Sequence, residues 1–311
     1  MHEDLQPRTM MQAATLTGRG LHGALPCTVT LVPVAAPVGL SFVHRPTGIA
    51  IPVHADHAGD TRLATTLVKD GLRLQTIEHL LSALSGLGVD HLRIEVDAEG
   101  VSADGVTSVE LPILDGSAAP WVDAILSAGL KALPGRRRFL RVLKPVEVRQ
   151  GDKWIRVTPF DGFRVRYTID FDHPSIGRQC RELAITPSRY AQEVGLARTF
   201  CLEHEIEFMR AHGLALGGSL DNAVVFGLEG PLNESLRFED EAVRHKILDL
   251  VGDLALLGAP MLGLVEAHAA GHALHVALAQ ALLADATAWT WSEAQPLRRA
   301  PRPDFAAALS A

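Results

Sequence analysis

The sequence predicts an α+β fold made of two similar α/β units. Three observations lead there. The chain has 311 residues, longer than one average domain and suited to two of roughly 130–170 residues. A proline, a glycine and three arginines at Leu133-Pro-Gly-Arg-Arg-Arg138 interrupt all apolar periodicity and mark a boundary. On either side the same order recurs: strands, a helix carrying a histidine (His79, His245), a strand, and a second helix. The expected units are residues 1–133 and 134–298, followed by a flexible tail over 299–311.

Taken in order, Pro26 to Ala36 and Leu40 to His44 read as strands, being β-branched runs between Pro and Gly. Ahead of them, Gly18-Arg-Gly20-Leu-His22-Gly23 lacks the Lys-Ser/Thr of a phosphate loop and no strand precedes it, so a tight turn is expected. Thr76 to Leu84 reads as a helix, with Ile77, Leu80, Leu81 and Leu84 at helical spacing and a Gly86-Leu-Gly88 stop. Asp90 to Asp97 alternates Leu92, Ile94 and Val96 with charged residues, the mark of a half-buried strand. Gly100 to Val109 is small and polar and reads as a surface excursion. A helix follows Ser117, with Pro120 in its first turn.

Beyond the boundary, Phe163 to Phe171 alternates strictly. Thr199 to Val225 reads as strand, helix, glycine turn and strand, with Phe200, Leu202, Ile206, Phe208 and Met209 giving an apolar surface. A helix over Glu241 to Asp253, a strand over Met261 to Ala267 and a helix over Ala273 to Leu283 complete the series.

Composition narrows the function. Apolar residues make up 47% and charged residues 21%, enough to build two cores. A net charge of −7 gives no electrostatic case for nucleic acid. The N-terminus lacks a signal-peptide core, and no later apolar run spans a bilayer. Cys27, Cys180 and Cys201 form no close pair in sequence, so neither a disulfide framework nor a thiolate zinc site is indicated. A cytoplasmic protein is expected.

The chemistry centres on Glu241 to Asp253. As a helix it sets His245, Asp249, Gly252 and Asp253 on one face among apolar flanks. A polar stripe so placed is costly unless something binds it, and His and Asp one turn apart can share a cation. A solvated helix face is the alternative. With His79, two imidazoles and one carboxylate would leave Zn²⁺ an open position, the catalytic pattern. Glu78 could then act as general base and His272, at a loop-to-helix junction, as the acid that protonates a leaving nitrogen. A helix N-terminus disfavours an imidazolium, and Asp253 is the candidate carboxylate to offset it.

These residues lie in motifs that resemble the zinc-dependent UDP-3-O-acyl-N-acetylglucosamine deacetylases of lipid A synthesis. The resemblance runs through Thr76-Ile-Glu-His-Leu80, Ile113-Leu-Asp-Gly-Ser-Ala-Ala-Pro120, Gly151-Asp-Lys-Trp154, Ile169-Asp-Phe-Asp-His-Pro174, Ala197-Arg-Thr-Phe200, Leu216-Gly-Gly-Ser-Leu-Asp-Asn222, Leu236 to Lys246 with its continuation to Asp253, and Ala270-Gly-His-Ala-Leu274. It implies two domains, each a sheet with two helices, packed helix layer to helix layer, with a βαβ insert at about 198–225. It further implies His79, His245 and Asp249 as ligands of Zn²⁺ (or Fe²⁺ in the cell), Glu78 as base, His272 held by Asp253, and Thr199 on the amide carbonyl. Lys246, Lys153 and Phe171 match contacts to the sugar or diphosphate. Phe200, Ile206, Gly218 and Ser219 belong to the insert, whose apolar passage receives the acyl chain.

The implied reaction is hydrolysis of the N-acetyl group of UDP-3-O-(3-hydroxyacyl)-N-acetylglucosamine to amine and acetate, the committed step of lipid A synthesis, by a monomer. A metal-dependent amidohydrolase of another N-acylated sugar is the alternative. At Gly100 to Val109 the chain departs from the family pattern by a longer loop, which leaves the setting of Asp115 open. The chain's end soon after the second unit implies no fused dehydratase.

Overall fold

A computed structural model describes residues 5–103 and 105–294. The fold is α+β, as the sequence predicts. The expected tail over 299–311 lies outside the described residues.

Five strands form a sheet in the order Ala14–Arg19, Pro26–Val32, Leu92–Asp97, Leu40–His44 and Ala50–Pro52. Leu92–Asp97 runs at its centre, antiparallel to Pro26–Val32 and parallel to Leu40–His44. Its alternation is the burial pattern itself: Leu92, Ile94 and Val96 are buried and Arg93 and Asp97 are exposed. The first strand corrects one expectation. Ala14–Arg19 directly precedes the glycine-rich run and contains Gly18. It was invisible because Thr15, Thr17 and Arg19 face solvent while only Ala14, Leu16 and Gly18 face inward, half-buried.

The second large sheet has Met261–His268 as its hub. That strand pairs in parallel with Arg138–Val142 and Phe163–Asp170, and antiparallel with Lys153–Thr158. Val146–Gln150, Arg178–Ala184 and Trp289–Glu293 extend it outward.

Helices α1 (Glu78–Leu87), α2 (Ala119–Ala128), α3 (Pro187–Arg189), α4 (Glu203–Ala211), α5 (Glu241–Asp253) and α6 (His272–Ala284) complete the chain. Gly88 ends α1 in the left-handed conformation that a glycine adopts without strain. α1 packs against α5 and α2, and α5 against α6. Between α1 and α5, Ser82 Oγ donates to Leu248 O at 2.7 Å, and Tyr190 OH donates to Ser82 Oγ at 2.7 Å. Leu80, Leu81 and Leu84 of α1 and Ile247, Leu248, Leu250 and Val251 of α5 are fully buried, so the helix contact lies inside a single core.

The excursion at Gly100 to Val109 is ordered differently from expectation. Val101–Ala103 and Val106–Glu110 are strands, and the latter runs parallel to Leu72–Gln75 in a four-stranded sheet. Its partner is distant in sequence, which local periodicity does not reveal. Strand Phe200–Leu202, α4 and strand Val224–Gly227 form the expected βαβ unit.

Candidate active site

The first turn of α1 carries Glu78 and His79; successive turns of α5 carry His245, Asp249 and Asp253; the first residue of α6 is His272. The helix packing brings all six together. His245 Nε2 lies 3.3 Å from Asp249 Oδ1, and His79 Nε2 lies 3.9 Å from the same oxygen. One donor atom from each of these three residues falls within 4.8 Å of the others. All three side chains are buried.

The donor set fits a divalent cation. Burial, reinforced by the neighbouring His245, pushes His79 down to about 3, and burial likewise lowers His245, so the site disfavours the charged form of both imidazoles. His245 Nδ1 lies 3.0 Å from Ala197 O, which places its proton on Nδ1 and leaves the Nε2 lone pair facing His79 and Asp249. Burial opposes ionisation of Asp249, but Lys246 Nζ at 2.6 Å and the surrounding imidazoles outweigh it and hold the carboxyl well below its usual range. A nitrogen from each imidazole and an anionic oxygen thus converge, an arrangement suited to a cation.

Beside this set stand the Glu78 carboxyl and the His272 imidazole. Glu78 Oε2 accepts a hydrogen bond from Thr65 N at 3.0 Å. Burial, with the Asp253 and Asp249 carboxylates adding to it and His272 opposing, pushes Glu78 up to about 8. His272 Nδ1 donates to Asp253 Oδ2 at 2.7 Å. Burial disfavours the His272 cation, yet Asp253 and Asp249 prevail and raise it to about 9. Asp253 is itself fully buried, but its imidazole partners bring it down to about 2. The expected conflict with the α6 N-terminus is resolved by this carboxylate. Asp253 Oδ2 also takes His275 Nδ1 at 2.8 Å, and His275 Nε2 is 2.9 Å from Tyr167 OH.

The group opens into a cavity of about 310 Å³ lined by Glu78, His79, Lys153, Phe171, Thr199 and Lys246, among others. Phe171 and Phe200 meet edge to face at 5.6 Å. A contiguous cavity of about 330 Å³, sharing Thr199 and Phe200, continues past Ile206, Gly218, Ser219 and Leu232. Every residue expected to hold metal, act on protons or contact substrate therefore lies on one of the two cavities, except Asp253, which stands behind His272.

Sequence reasoning missed Thr65, His275, His22 and Leu63. His22 and Leu63 line both cavities. His22 sits in the glycine-rich run read as a plain turn, and its carbonyl accepts Leu216 N at 3.1 Å, docking that run on the insert. Three non-glycine residues with positive φ lie beside the site: Leu63 at 65°, Thr76 at 57° just before α1, and Ala269 at 47° just before α6. Such strain gathers where a framework must aim side chains, and no residue-type signal announces it.

On an α+β framework, this grouping of candidate cation ligands with a candidate acid and base fits a hydrolytic enzyme. Comparison with known proteins narrows the class. The family model described as UDP-3-O-acyl N-acetylglycosamine deacetylase matches residues 7–284. The UDP-3-O-acyl-N-acetylglucosamine deacetylase of Anaeromyxobacter dehalogenans (strain 2CP-C) is 46% identical over 282 residues, covering 90% of this chain and 88% of its own. That of Anaeromyxobacter sp. (strain Fw109-5) is 46% identical over 279 residues, covering 89% and 88%. The chain belongs to the UDP-3-O-acyl N-acetylglycosamine deacetylase family, as its motifs implied.

Proposed function

We propose that the chain hydrolyses the N-acetyl group of UDP-3-O-(3-hydroxyacyl)-N-acetylglucosamine, releasing acetate and the free amine for lipid A synthesis. The observation that carries this reading is the convergence of His79, His245 and Asp249 beside Glu78 and His272, at the mouth of an apolar passage. The molecule reads as two α/β units, 1–133 and 134–298, meeting at α1 and α5, and working as a monomer in the cytoplasm. Among the described residues no helix is long and apolar enough to cross a membrane, and all three cysteines are free.

His79, His245 and Asp249 would hold a divalent ion, Zn²⁺ or Fe²⁺, since both accept such ligands. When bound, the ion supplies Lewis acidity that polarises the amide carbonyl and acidifies a water. Glu78 accepts the proton of the attacking water as it adds to the carbonyl carbon. That role rests on its position; burial raises its affinity for protons, and a cation alongside acts in the opposite direction. Thr199, fixed by its backbone N donating to Gly116 O at 2.7 Å, faces the cavity where the carbonyl would lie. His272 delivers a proton from Nε2 to the amide nitrogen as the C–N bond breaks, with Asp253 holding Nδ1. Lys153, Phe171 and Lys246 receive the sugar and diphosphate, and Phe200, Ile206, Gly218 and Ser219 receive the acyl chain.

The test is Glu78→Gln. Its kcat should fall by about a hundredfold or more, with bound metal per chain unchanged. A variant that keeps near-parental kcat removes Glu78 as the base.

A further inference from the structure

Thr65 is fully buried, yet its hydroxyl has no part in the acid–base reading above. It lies between exposed Leu63 and strand Leu67–Lys69, in a stretch with no regular structure. Its hydroxyl donates to Asp253 Oδ1 at 2.5 Å and its oxygen lies 3.2 Å from His272 Nδ1. Its backbone N–H donates to Glu78 Oε2 at 3.0 Å. One residue therefore touches both ends of the acid–base group. The directions of these bonds follow from the atoms. An ionised carboxylate only accepts, so the hydroxyl proton must point at Asp253, and a lone pair is left for the His272 Nδ1–H. Asp253 Oδ2 is occupied by His272 and His275. Without the Thr65 hydroxyl its other oxygen would have no side-chain donor among the described residues, and a carboxylate gripped by one oxygen can turn about its own axis.

We propose that Thr65 is a positioning residue: its hydroxyl pins the Asp253 carboxylate so that His272 keeps its proton on Nδ1 and turns Nε2 into the cavity, at a fixed distance from Glu78. This rests on the assignment of Glu78 and His272 as base and acid. A misplacement on the order of 1 Å at a reacting group can cost about a hundredfold in rate, which gives one hydroxyl its leverage. The side-chain and backbone contacts are separable. Valine has the shape of threonine and keeps the N–H to Glu78, but it has no donor for Asp253.

The experiment measures kcat, KM, bound metal and melting temperature for Thr65→Val, Thr65→Ser, His272→Ala and the Thr65→Val/His272→Ala pair, all as full-length enzyme. Thr65→Val should lower kcat by about ten- to a hundredfold with KM within about twofold and metal content unchanged. Thr65→Ser should restore kcat to within about threefold, because it returns the donor. On the His272→Ala background, Thr65→Val should add no further loss, since a residue acting through His272 has nothing left to act on. A parental kcat in Thr65→Val, an equal fall in Thr65→Ser, loss of metal in Thr65→Val, or multiplied effects in the pair would each overturn the proposal. An unimpaired His272→Ala would instead overturn the acid assignment beneath it. If Thr65→Val does not fold, Thr65→Cys, a weak donor of similar size, carries the same test: a kcat between the serine variant's and a tenfold loss supports the proposal, and the parent's value overturns it.

Discussion

At the scale of single residues, the site depends on what is missing as much as on what is present. Gly252 faces α1 so closely that a Cβ there would meet Glu78 O at 2.1 Å and its carbonyl carbon at 2.8 Å. Both are backbone atoms and cannot swing aside, so Gly252→Ala has to push the α1 and α5 backbones apart beside Glu78. We expect a destabilisation of about 1–3 kcal/mol, seen in urea melts, together with a fall in kcat. Parental stability and rate in that variant would mean that the helices part without strain. This close approach is one of the features legible in the sequence, since a glycine inside an otherwise well-formed helix calls for a packing reason. The pairing of His245 with Asp249 was equally legible from helical spacing. The support around them was not: Thr65, His275 and Tyr167 are ordinary residue types, and only the tertiary fold turns Thr65 and His275 toward Asp253 and Tyr167 toward His275.

Among the elements, α5 is anchored at its start as well as along its length. Glu241 Oε1 accepts from Arg198 Nε at 2.9 Å and Oε2 from Arg237 N at 2.7 Å, while Arg237 Nη2 reaches Asp115 Oδ2 at 3.0 Å. Asp115 also caps its own loop, accepting from Ser117 N at 3.0 Å. Its setting is thus firm, and the longer segment before it forms a hairpin elsewhere. Burial alone would raise the Glu241 carboxyl, but the Arg198 hydrogen bonds and charge outweigh it and the net shift is downward. With an unfolded value of about 4.3, this contact contributes stability in full above that pH and loses it as pH falls through the lower folded value. Glu241→Gln should therefore melt well below the parent at pH 7, with the gap closing below about pH 4. A gap that stays constant down to pH 3 would show that the charge is not what matters.

The βαβ element makes a different prediction. Its helix α4 buries no side chain completely, and Ile206, Met209 and Arg210 are its contribution to the apolar cavity. Ile206→Glu should raise KM for a long-acyl substrate by about tenfold or more, the equivalent of at least 1.4 kcal/mol, and leave a short-acyl substrate nearly unaffected. Equal effects on both would detach this passage from the acyl chain. The amphipathic elements here were readable because burial imposes their periods: Phe163–Asp170, Met261–His268, α1 and α6 fall within a few residues of their predicted bounds. The strands Val146–Gln150 and Arg178–Ala184 were not resolved individually, because much of each is exposed and the alternation of polarity fades there.

For the molecule as a whole, the three side chains proposed to hold the ion are also a joint. Its donors come from α1 and α5, the helices whose contact lies at the centre of the core. An ion bound there stabilises the folded chain by mass action, so chelation should lower the melting temperature as well as abolish turnover. Readdition of Zn²⁺ should restore both. A melting temperature indifferent to chelator would separate metal binding from the helix contact.

The contact between Ser82 and Leu248 spans 166 residues of chain, and this bears on the order of events during folding. Segments so far apart meet late, because closing a long loop has to precede any reward from the contact. A nascent chain with α1 already made carries only Glu78 and His79 of the proposed centre and must wait for α5 to emerge. Ion capture should then trail the far-ultraviolet signal of secondary structure in a refolding experiment and coincide with recovery of activity. The catalytic centre would serve as the molecule's own clock for the last step of its assembly.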